Sequence, residues 1–132
     1  MREHPSGKDL LELARKVLRQ DLIEHLPKDK KFEALMVANA MAIAARQFEL
    51  GDEPETGELA SLVDLYGEAG EPGDREDLQN GLSRLYRHLC REIRNGAYDP
   101  GTPQRSQVFT LLMQAAIQKV IESNPKYLGK NT

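Results

Sequence analysis

From Ala34 to Ala45 the chain is apolar at every position except Asn39. That run restricts the fold more than any other feature. Its alanine, leucine and methionine are strong helix formers, and β-branched residues are few. Spacing extends the helix from near Lys31 to Leu50, with Gly51 as its C-terminal stop. A helix apolar on most sides is expected at the centre of a helical protein, covered by its neighbours.

Two polar residues interrupt this helix. Phe32, Asn39 and Arg46 are spaced by seven, so they share one stripe with Leu35, Met36, Ile43 and Leu50. A buried, unpaired amide costs roughly 1–3 kcal/mol, so a covered Asn39 needs partners. A covered Arg46 keeps its charge and needs a carboxylate or several carbonyls. Glu49, one turn on, is one candidate and Asp21 of the preceding helix is another. The expectation is a closed polar network that fixes helix register. The alternative is a small-molecule or enzyme site built on Asp21, Asn39 and Arg46, an apolar pocket with a few convergent polar groups.

Helical patterning continues on both sides. A first helix opens at Ser6, where Asp9 is placed to complete a capping box, and runs to about His25 before Pro27. Leu10, Ala14, Val17, Leu18, Leu22 and Leu26 form its broad apolar arc. Asp21 and His25, one turn apart, project into that arc, an arrangement that can orient an imidazole. With no third group, the pair is expected to be structural. A shorter helix spans Glu55 to Tyr66. The glycine-rich stretch GEAGEPGDRED follows, then a helix from after Asp74 to Asn95–Gly96. A last helix starts at Thr102, a capping residue with Pro103 in the first helical position, and ends before Pro125. Four long helices and one short one, with no βαβ alternation, predict an all-α bundle forming a single helical domain over residues 1–132.

The penultimate long helix divides into two faces. Leu78, Leu82, Leu85, Leu89 and Ile93 fall within an arc of about 80°, and Arg84, Arg87, Arg91 and Arg94 lie opposite. The arginines are a candidate interaction face, although a charged stripe opposite a core stripe is ordinary for a surface helix. The stretch from Glu49 to Asp77 supplies eleven acidic residues and a single base, Arg75. Opposite-sign patches suggest pairing within the chain or between copies, so a homodimer is a candidate assembly.

Several classes are disfavoured. Lysine and arginine number 18 against 21 acidic residues, a net charge of −3, and there is no tryptophan. Nucleic-acid binding is therefore not expected. No apolar run reaches a membrane span, and the polar N-terminus does not resemble a secretory signal. Cys90 is the sole cysteine, which excludes an internal disulfide and a cysteine-based zinc cluster. The expected setting is the reducing cytoplasm. Leu22 and Leu85 stand three residues before His25 and His88, so the Glu-x-x-His signature of di-iron bundles is missing. Cys90 reads as a small apolar filler at the core edge. No catalytic constellation, metal site or cofactor is expected.

Four segments in this order, LLELARKVL, FEALMVANAMAIAARQFELG, LCREIRNGAYD and NPKYLG, resemble a bacterial domain-of-unknown-function family, number 6285. Asn39, Arg46, Glu49, Leu50, Gly51 and Asn124–Leu128 match its pattern, and an acidic residue falls at Asp21. Leu35 departs from it, since members tend to carry a base there, and GEAGEPGDRED is peculiar to this chain. The resemblance implies an all-helical domain encoded near aminoglycoside-phosphotransferase-like kinases and acyl-CoA dehydrogenases. It implies no known catalytic residues. With the missing catalytic constellation and the opposed charged faces, it leads to the expectation of a non-catalytic accessory or protein-interaction domain serving a kinase-like or acyl-CoA-metabolising partner.

Overall fold

The computed structural model describes residues 4–70 and 76–129, and every regular element among them is helical. The helices are α1 (Gly7–Val17), α2 (Lys31–Leu50), α3 (Glu53–Tyr66), α4 (Leu78–Arg94), α5 (Arg105–Ser123) and α6 (Pro125–Gly129). The all-α expectation holds. Two compact units are distinguished, one comprising residues 1–51 and 121–132 and the other residues 52–120.

In the first unit, α1 begins with the expected capping box. The Ser6 hydroxyl accepts from the Asp9 N–H at 3.2 Å, and the Asp9 carboxylate accepts from the Ser6 N–H at 2.9 Å. The helix does not run unbroken to His25. The α-geometry ends at Val17, widens to a π-turn over Leu18–Leu22, and tightens to a 3₁₀ turn over Ile23–His25. Pro27 drives Leu26 into extended backbone, φ −81° and ψ 149°, and the chain is rewound ahead of that stop.

Helix α2 has the expected bounds. It ends where Gly51 takes φ +60°, a conformation that a Cβ disfavours. Its surroundings correct the sequence reading. The helix is not covered on most sides, because only Ala34, Ala38 and Ala45 are buried along it. These three fall within an arc of about 40°, with Phe32, Met36, Ile43 and Leu50 on roughly the opposite side. Small side chains let α1 approach closely, and the Arg15 Nε of α1 donates to the Ala38 carbonyl at 3.1 Å. The alanines win the contact, and the large apolar residues face outward.

The second unit has the denser interior. Leu62 and Leu65 of α3, Leu82, Leu85 and Leu89 of α4, Tyr98, and Val108 and Leu111 of α5 form one buried cluster. Burying each leucine contributes roughly 1.5–3 kcal/mol. The apolar stripe of α4 faces the core as expected, except that Ile93 at its end is 43% exposed. Asp77 caps α4 by accepting from the Asn80 N–H at 2.8 Å. The fifth helix starts two residues later than expected, at Arg105 rather than Pro103. The Thr102 hydroxyl donates to the Asp99 carbonyl at 2.8 Å, which engages it in the preceding turn, and helix geometry begins at Arg105.

Candidate functional site

The suspected polar network is not assembled. Arg46 turns to backbone: its Nε donates to the Glu122 carbonyl at 2.6 Å and Nη2 to the Ser123 carbonyl at 3.2 Å. A guanidinium holding carbonyls at the end of α5 does the work of a C-terminal cap. Glu49 lies 2.9 Å from Lys8 Nζ of α1, and this contact holds the Lys8 ammonium above its ordinary range. His25 is exposed with Nε2 3.3 Å from Glu24, its sequence neighbour. Asp21 and Asn39 are exposed and make no hydrogen bond or ion pair among the described residues. The sequence grouped five residues, and the structure distributes them among three separate contacts and open surface.

The arginine face of α4 divides. Arg84 meets Glu76 in a two-pronged pair, Nε to Oε1 at 2.6 Å and Nη2 to Oε2 at 2.8 Å, with Nη2 also donating to the Gly70 carbonyl. Glu76 thereby raises the Arg84 pKa further above its usual value. Arg87, Arg91 and Arg94 are exposed and line an open groove of about 530 Å³ with Ser83, Tyr86 and Cys90. Cys90 is therefore exposed rather than a core filler. Its neighbour Leu89 takes the inward position of that turn. Of the acidic run, Glu71 and Asp74 lie outside the described residues, as does Arg75.

Tyrosines bind the second unit together. The hydroxyls of Tyr66 and Tyr98 are 3.2 Å apart, and burial together with that bond pushes the Tyr66 phenol well above its ordinary range. The His88 ring meets the Tyr66 ring edge-on, centroids 4.6 Å apart. The Tyr86 hydroxyl donates to Glu58. Beside Glu58, a groove of about 270 Å³ between α3 and α5 is lined by Ser61, Leu111, Gln114 and Gln118. Among the described residues, no three His, Cys, Asp or Glu side chains are placed to hold a metal ion. No helix among them is long and apolar enough to cross a membrane.

The feature that the sequence did not disclose is the extent of uncovered apolar surface in the first unit. Phe32 is 71% exposed, Met36 56% and Leu35 45% on α2, while Leu13 and Leu10 of α1 stand at 58% and 53%. The residues buried here are the three α2 alanines. The signal was the mixture of small and large apolar residues around α2, since close helix contact selects the small ones.

The pattern described as a domain of unknown function (DUF6285) matches residues 24–127. The chain belongs to that family. Within this family member the match begins at the 3₁₀ turn before α2 and ends in α6, so it includes the outward face of α2 and the Arg46 contacts. No curated protein and no solved structure is similar to the chain.

Proposed function

We propose that this DUF6285 domain is a non-catalytic accessory or interaction module that docks another protein on the apolar faces of α1 and α2. One observation carries this reading: the first unit buries Ala34, Ala38 and Ala45 of α2, while Phe32, Leu35 and Met36 of α2 and Leu10 and Leu13 of α1 are exposed. Large apolar side chains grouped on an uncovered helix face mark interaction sites in proteins. The family resemblance adds kinase-like and acyl-CoA dehydrogenase-like proteins as candidate partners, and a second copy of the chain falls within the same reading. A reducing, cytoplasmic setting fits the lone exposed Cys90.

Co-expression with a kinase-like protein of the kind the family resemblance implies, followed by size-exclusion chromatography, tests the accessory role. Co-elution that Met36→Lys abolishes is the expected result. Separate elution at micromolar concentration, from that protein and from an acyl-CoA dehydrogenase-like protein, would remove the accessory part.

A further inference from the structure

We propose that the outward face of α2 is the seat of a second copy of this chain, the two α2 helices packing antiparallel about a two-fold axis close to Asn39. The proposal rests on the reading that this face docks a protein, and it names the occupant.

The apolar stripe comes first. On the outward face of α2, Phe32 is 71% exposed, Met36 56% and Leu35 45%, with Ile43 and Leu50 half-buried along the same stripe. Packing this stripe against its own copy would cover large apolar side chains that the chain itself leaves open to water. Helix α2, 20 residues long, extends about 30 Å and offers a continuous seat.

Asn39 points to self-pairing. It sits within a turn of the α2 midpoint, in the stripe of Phe32, Leu35 and Met36, exposed and without a hydrogen-bond partner among the described residues. A polar residue there would weaken docking of a purely apolar partner. A carboxamide, however, holds a donor and an acceptor together and is its own complement across a two-fold axis. A single asparagine in an apolar stripe fixes register and partner number in paired helices.

Charge sets the direction. Residues 28–31 carry three lysines and one aspartate, whereas residues 49–53 carry three carboxylates and no base. Parallel pairing would bring like ends together. Antiparallel pairing places the basic end of each α2 beside the acidic end of its mate, twice over by symmetry.

Size-exclusion chromatography with light scattering on the purified full chain at micromolar concentration should report twice the chain mass. Met36→Lys, which sets an ammonium into the pairing face, should raise the dimer dissociation constant by roughly a hundredfold or more while far-ultraviolet circular dichroism stays helical. In a Cys90→Ser background the only cysteine of Asn39→Cys is the new one, and mild oxidation should give a disulfide-linked dimer in high yield. A monomer across the concentration series, a dimer indifferent to Met36→Lys, or a dimer that Asn39→Cys does not cross-link would each overturn the proposal. A monomer that still binds a kinase-like protein through α2 would overturn it too, while leaving the interaction reading intact.

Discussion

At the scale of single residues, the second unit is tightly determined. Gly96 takes φ +81° after α4, and a Cβ there would lie 2.8 Å from Asp99 Oδ2. Gly96→Ala should therefore lower stability by about 1–2 kcal/mol from backbone conformation alone, with the carboxylate contact adding to it. Urea unfolding followed by the tyrosine signal measures this directly. Leu85, 1% exposed in the core cluster, sits where truncation leaves a cavity. Leu85→Ala is expected to cost roughly 3–5 kcal/mol in the same experiment. Met36→Ala, by contrast, removes a side chain that is 56% exposed within the chain. Its cost should appear only where α2 is paired.

Individual elements were legible to different degrees, and the reason is physical. Helix α4 could be read with both faces because its leucines and arginines differ in what they demand of water. The Ser6 cap and the Gly51 stop could be read because each acts within a turn of its own position. Helix α2 could be bounded but not oriented: alanine, leucine and phenylalanine all count as apolar, while contact with α1 separates them by size. The partners of Arg46 lie 76 and 77 residues away and are backbone carbonyls. No local pattern announces those. Arg46→Met should free the last turn of α5, and amide exchange at Glu122 and Ser123 should quicken by about tenfold, the consequence of losing roughly 1.4 kcal/mol of charge-assisted hydrogen bonding. The N-terminus of α1 is sensitive to acid. The hydrogen bonds from the Ser6 backbone N–H and hydroxyl hold the Asp9 carboxyl below its ordinary range. Its stabilising effect is complete above that range, near pH 3.9 and higher, and is lost as pH falls through the depressed value. Amide exchange over Leu10–Leu13, corrected for intrinsic rates, should thus lose protection in strong acid. Asp9→Asn should show the looser cap already at neutral pH and little further change on acidification.

At the scale of the whole molecule, two compact units meet the requirements of folding differently. The unit of residues 52–120 encloses a cluster of leucines with Tyr98 and Val108, whereas the other has α2 alanines at its buried contact and large apolar residues outside. Composition could not show this, because an apolar fraction of 39% counts residues without saying which are covered. The division predicts how stability responds to dilution. If a second copy covers α2, local opening of α1 and α2 requires dissociation first, and mass action makes their protection depend on concentration. Protection of the α2 amides should then rise roughly threefold for each tenfold increase in chain concentration, since the free-protomer fraction of a mostly dimeric protein falls as the square root of concentration. The amides of Leu85 and Leu89, buried within their own unit, should show no such dependence. Native-state hydrogen exchange at two concentrations reads both sets in one sample. Parallel behaviour of α2 and α4 would mean that the outward face of α2 contributes nothing to stability through a second copy.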